Sequence, residues 1–98
     1  MAEYVVLMKL TAQGAAKPKE IPAGIEQAHQ AIAQMGGKVL GCYALLGPYD
    51  FIGIYDLPGD EVAAAVGLGM GASGSVSTLT MRAFTSAALA EMVKHLPG

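Results

Sequence analysis

The sequence predicts an α+β fold of order β-α-β-β-α-β, closed by a further helix. Three observations predict it. Four short segments have the β-branched and alternating character of strands. Two longer segments between them read as helices, the first with apolar residues at helical spacing. Glycine and proline clusters mark most of the junctions. The chain has 98 residues, which is the size of one domain spanning 1–98.

Each element follows from its own residues. Tyr4 to Leu10 is a strand, with Tyr4, Val6, Met8 and Leu10 on one side and Val5 and Leu7 on the other. Both sides are apolar. Thr11 to Lys19, with Gly14 and Pro18, is read as a loop. A helix starts near Pro22, and Ile21, Ile25, Ala28, Ile32 and Met35 form its apolar stripe. Gly36-Gly37 ends it through a left-handed cap. Lys38 to Leu46 and Tyr49 to Asp56 are two strands of a hairpin turning at Gly47-Pro48. Asp60 is expected to cap a helix from Glu61 to about Met70. Ser75 to Phe84 is the fourth strand. Thr85 or Ser86 caps a last helix, with Leu89, Met92, Val93 and Leu96 on one side. This order is the ferredoxin-like arrangement, an antiparallel four-stranded sheet with helices on one face, joined by right-handed crossovers.

Composition narrows the function. Charged residues make up 14% and hydrophobic residues 53% of the chain. The usual charged share is about a quarter. A surface so short of charge is expected to be covered by other copies of the chain. The net charge of −2 argues against nucleic acid, which calls for clustered Lys and Arg. One cysteine, Cys42, excludes an internal disulfide. No signal-peptide pattern opens the sequence, so a cytoplasmic location is expected. Val62 to Met81 carries no charge, yet its glycines, serines and threonines argue against a membrane span.

Gly69 to Gly74 reads G-x-G-x-x-G, the dinucleotide-binding fingerprint. That fingerprint lies between a strand and a helix N-terminus. Here a helix precedes the glycines and a strand follows, so the helix presents its negative end. No cofactor is expected. The same helix has no polar face. Gly67 and Gly71, four residues apart, with Leu68 between them, are expected to pack on a neighbouring subunit.

Several residues are candidates for chemistry. Asp50 is either a general base or amine ligand, or an acceptor of backbone N–H groups that fixes the turn. Tyr49, Phe51 and Tyr55 share one side of a strand and suit a pocket, the core or a subunit interface. Arg82 either clamps a carboxylate or pairs with Asp50, Asp56 or another subunit. His29 lies at the edge of the first helix's stripe, as a boundary residue or a catalyst. Tyr43 joins His29, Asp50 and Arg82 as a ligand-binding candidate. No set has metal-ligand spacing, and no metal is expected.

Tyr4-Val5-Val6-Leu7-Met8-Lys9, Gly36-Gly37-Lys38-Val39, Leu46-Gly47-Pro48-Tyr49-Asp50 and Arg82-Ala83-Phe84-Thr85 occur in that order along nearly the whole chain. Together they resemble the GYD domain family, named for the residues that here are Gly47, Tyr49 and Asp50. The resemblance implies a dimeric α/β-barrel assembly, with two ferredoxin-like sheets face to face. It does not imply a chemistry. The hairpin is also similar to that of the Lrp/AsnC effector domain, which binds amino acids between subunits. Ile21 and Ser77 depart from the family pattern, where a polar cap and an arginine are common. The function expected is a homo-oligomeric binding or accessory module that holds a small metabolite at or between subunits. The alternatives are a cofactor-free oxygenase or isomerase and, more remotely, an RNA-binding domain.

Overall fold

The computed structural model describes residues 1–98. Its sheet has the order β2-β3-β1-β4, with β1 at Ala2–Leu10, β2 at Lys38–Ala44, β3 at Phe51–Leu57 and β4 at Val76–Ala83. All neighbours are antiparallel. β1 and β3 are central, and they are the strands with the deepest burial. The longer helices are α2 (Ile21–Gln34) and α3 (Asp60–Ala72). Ile32 of α2 and Ala63 and Val66 of α3 close one cluster with Tyr4, Val6, Met8, Tyr55 and Leu57. Both helices therefore cover the same sheet face.

The end of α2 follows its sequence. Gly36 has φ of +84°, a conformation that costs glycine little. The Gly37 N–H then reaches the Ile32 carbonyl at 2.9 Å and the Gly36 N–H reaches Ala33 at 3.1 Å. These are the two bonds of a Schellman motif.

Several boundaries differ from expectation, among them the end of the last helix at Val93. Thr11 to Lys19 is not a plain loop: Thr11 caps the short helix α1 (Ala12–Ala15), and a 3-10 turn follows at Pro18–Glu20. The Thr11 hydroxyl accepts from the Gly14 N–H at 3.2 Å and donates to the Gly74 carbonyl at 2.6 Å. A single hydroxyl thus ties the exit of β1 to the entry of β4. β2 stops at Ala44, and β3 starts at Phe51, which leaves Tyr49 in the connection. Asp60 is the first residue of α3 rather than its cap, and Gly59 occupies the cap position. The Asp60 carboxylate instead accepts the Tyr4 hydroxyl. Finally α3 runs two residues beyond Met70, to Ala72.

The last helix, α4 (Ser86–Val93), is capped by Thr85, whose side chain accepts from Ala88 N–H at 3.0 Å. It buries none of its residues. The radius of gyration is 15.0 Å and the extents are 54 × 30 × 18 Å. A close-packed chain of this length has a radius of about 12.5 Å, so the molecule is long and thin.

Candidate functional site

The hairpin carries the sequence's main polar candidate. The Asp50 N–H donates to the Met8 carbonyl at 2.9 Å, and its Oδ2 accepts the Leu10 N–H at 2.7 Å. Leu45 N–H donates to the Asp50 carbonyl at 2.8 Å. Two of these bonds join the β2–β3 turn to the end of β1, and the third closes the turn itself. The carboxylate accepts a backbone N–H, but from the neighbouring strand rather than from its own turn.

Tyr55 lies in the core. It is 1% exposed, and its ring crosses Gly53 so closely that a Cβ there would collide with the phenol. Only glycine leaves that space. Burial, aided by nearby Cys42, pushes the Tyr55 phenol up to about 12. Burial also raises the Cys42 thiol, so both groups stay protonated and are poor nucleophiles near neutrality. The His29 ring meets Tyr55 edge-on, with centroids 6.3 Å apart. Its Nε2 is buried without a partner. Tyr55 therefore has no surface to offer a second subunit, and Phe51 shares its helix-covered face.

Arg82 lies at the far end of the sheet. Its guanidinium is 5.6 Å from the Tyr4 ring centroid and 4.4 Å from that of Phe84. Its Nη1 donates to the Glu3 carbonyl at 3.1 Å and also to that of Ala83. It forms no ion pair with Asp50 or Asp56 in this chain. Cation–π contact and carbonyl capping hold it. The hydrogen bond to Asp60 is the main cause that raises the Tyr4 phenol. Tyr43 is exposed on the edge strand β2. Tyr43, His29, Asp50 and Arg82 thus lie on separate elements, with no hydrogen bond or ion pair between any two.

The glycine run is a helix exit. Gly69 and Gly71 are inside the end of α3, and Gly74 follows at φ +78°. Gly67 faces inward: a Cβ there would sit 3.6 and 3.7 Å from the Thr80 and Thr78 hydroxyls. It packs on this chain's own β4 rather than outward. Leu68, 76% exposed, and Gly71 do face out.

Between α2 and α3 lies a cleft of about 620 Å³, within the range of small-molecule sites. Met8, Leu10, Phe51 and Val76 line it from the sheet. Ile25 and Ile32 line it from α2, and Val66 and Met70 from α3. Gln13, Lys17, Glu20 and Ser75 supply polar groups. None of Tyr43, Tyr49, Asp50, Arg82 or His29 lines it. The cleft is not legible in the sequence, because an apolar stripe on a helix looks the same whether it meets packed side chains or open space.

The other sheet face is bare. Alternation from the buried Tyr4, Val6 and Met8 turns Val5 and Leu7 to that side, with Ile52 and Ile54 of β3 and Leu79 and Met81 of β4 beside them. No helix of the chain covers these six residues. No group of three or more His, Cys, Asp or Glu is placed to hold a metal ion. No helix is long and apolar enough to cross a membrane.

Comparison with known proteins adds two findings. The GYD domain model matches residues 4–93. A protein of Thermus thermophilus, described as a glutamine synthetase and cystathionine beta-lyase binding protein, is 33% identical over 95 residues. That match spans 96% of this chain and 100% of the relative.

Proposed function

The chain belongs to the GYD domain family, and from that premise we propose that it is a self-associating binding module that docks on a metabolic enzyme. One observation carries the reading. The accessible surface is 6442 Å². A folded monomer of 10.0 kDa is expected to expose about 5,200 Å². The excess of about 1,200 Å² exceeds the roughly 800 Å² that each partner contributes to a standard interface. Much of the uncovered area is apolar: the bare sheet face, Leu89, Met92 and Val93 on α4, and Leu96 just beyond its end.

Two apolar surfaces suit two roles. The sheet face is broad and apolar, which fits a second copy of the same sheet. The α4 stripe and the outer side of α3 remain for a different protein. The relative's description makes glutamine synthetase and cystathionine beta-lyase the first enzymes to try. Immobilised chain should retain one of them from solution, and retain less of it when Leu89 and Met92 are changed to Asp. Retention of neither enzyme by a properly folded chain removes the docking proposal.

The cleft between α2 and α3 supports a second reading, in which the module also holds a small, mainly apolar metabolite. Its charged lining residues, Lys17 and Glu20, are exposed, and the walls deeper in are apolar. That arrangement suits a ligand with one polar end.

A further inference from the structure

The cleft between α2 and α3 is a trough with one closed end. Its floor lies where β1 finishes and β3 and β4 begin, at Leu10, Phe51 and Val76. Gln13 and Gly14 of α1 line the same end. The Thr11 N–H donates to the Ser75 carbonyl at 3.0 Å, and Gly14 lies so close to that carbonyl that no Cβ fits between them. The end wall is therefore fixed to the entry of β4 without help from a ligand.

Small residues keep the trough open. Gly24 of α2 and Gly69 of α3 line its two walls, and a Cβ at either would meet no atom within 4 Å. Neither has a positive φ, so the backbone does not call for glycine at these positions. Glycine inside a helix costs stability relative to alanine. What it gives here is room, and close access to the helix backbone.

Shape narrows the occupant. The lining follows α2 from Ile21 to Met35, which is about 21 Å at a helical rise of about 1.5 Å per residue. Across that direction a four-stranded sheet spans about 14 Å, and two helices with their side chains take up nearly all of it. The space is long and narrow, which suits an extended chain and not a fused-ring system lying flat.

Charge narrows it further. Lys17 and Glu20 are the charged residues of the lining. They stand 4.0 Å apart with both side chains 71% exposed, and a pair of that kind holds little. The Lys17 stem can continue the apolar wall while its ammonium stays in water. The Ser73 hydroxyl is already satisfied, donating to the Met70 carbonyl at 2.6 Å and accepting the Ser75 N–H at 3.2 Å. The Gln13 amide lies against Gly74 and adds N–H donors at the closed end.

We propose that the trough holds a straight-chain aliphatic carboxylate, with its chain between α2 and α3 and its head at Lys17 and Gln13. This rests on the reading that the cleft holds a small ligand, and names its class. Glu20 then competes with the ligand for Lys17.

Titration of the ¹⁵N-labelled native protein with dodecanoate, below its micelle concentration, tests this. Saturable shifts of the Gly24 and Gly69 amides are expected. Lys17→Ala should weaken dodecanoate about threefold to fivefold, the scale of one exposed ion pair, and leave dodecanol unchanged. Glu20→Gln should tighten dodecanoate. Gly24→Leu and Gly69→Leu should fold as well as the native chain and weaken both ligands about tenfold, because the new side chains occupy the trough. Dodecanoate and dodecanol that bind equally, with no response to Lys17→Ala, overturn the carboxylate head. Binding of 1-anilinonaphthalene-8-sulfonate in the cleft without competition from dodecanoate overturns the proposed class and leaves the cleft reading standing. Binding of neither compound, or shifts confined to Val5, Ile54 and Met81 on the bare sheet face, overturns both.

Discussion

The Asp50 carboxylate accepts the Leu10 backbone N–H at 2.7 Å, across 40 residues of sequence. This bond fixes the last residue of a central strand to the turn of a hairpin. It gives the aspartate of the Gly-x-Tyr-Asp segment a structural task that needs no ligand. Asp50→Ala should leave the Leu10 N–H unpaired and cost about 1–3 kcal/mol. Asp50→Asn, which keeps an acceptor, should cost less. Urea unfolding of the two variants measures the difference, and equal losses would argue against the bond.

Tyr55 makes stability fall at high pH. Its phenol rises from 10.0 in the unfolded chain to about 12 in the fold. The folded state therefore holds a proton that the unfolded state has lost. The stabilisation is complete below pH 10 and is lost as pH climbs through about 12. A contribution of about 1–2 kcal/mol is expected once solvent screening is discounted. Tyr55→Phe should flatten this fall, leaving the part due to Tyr4 and Cys42, which are also raised. Unfolding free energies measured from pH 9 to 12 will show it.

Gly53 and Gly67 should respond in opposite ways to alanine. At Gly53 the methyl group meets the Tyr55 ring and hydroxyl. The ring must leave its place in the core, at a cost of about 1–3 kcal/mol. At Gly67 the methyl would have ordinary contact distances to Thr78 and Thr80. Gly67→Ala should then stabilise α3 by about 0.5–1 kcal/mol, and native mass should not change. Loss of the assembly in Gly67→Ala would return this residue to the interface.

The cleft should accept an apolar probe. Binding of 1-anilinonaphthalene-8-sulfonate, followed by its fluorescence, is expected with the native protein. Ala28 lines the cleft from α2, and Ala28→Phe fills part of it. The variant should fold normally and bind the probe about tenfold more weakly, the equivalent of about 1.4 kcal/mol. Unchanged binding would place the probe elsewhere, the bare sheet face included.

Ile54→Asp puts a charge in the middle of the bare sheet face while sparing the helix side. It should shift the protein to monomer in sedimentation velocity, with the secondary structure retained. An unaffected assembly would mean that copies meet through another surface.

Local sequence determined most of the elements. Periodicity of two placed the strands, periodicity near 3.6 placed α2, and Gly36-Gly37 placed its end, because each depends on residues within one or two turns. The order of elements then implied the sheet topology, since right-handed crossovers leave few choices. Local sequence also placed the Gly69 to Gly74 run at a helix exit.

Only the tertiary structure decided which side of each strand is covered. β1 is apolar on both sides, so alternation alone cannot say whether Val6 or Val5 meets the helices. The crossovers bring α2 and α3 to the side of Tyr4, Val6 and Met8, and so the candidates Phe51 and Tyr55 turn inward. Long-range pairing set the rest. Asp50 meets Leu10, Tyr4 meets Asp60, and Arg82 lies against Tyr4 and Phe84, through registers that no short stretch contains. The cleft is of the same kind: it exists because α2 and α3 stand apart on the sheet, and the spacing of two helices is a property of their packing and not of either sequence.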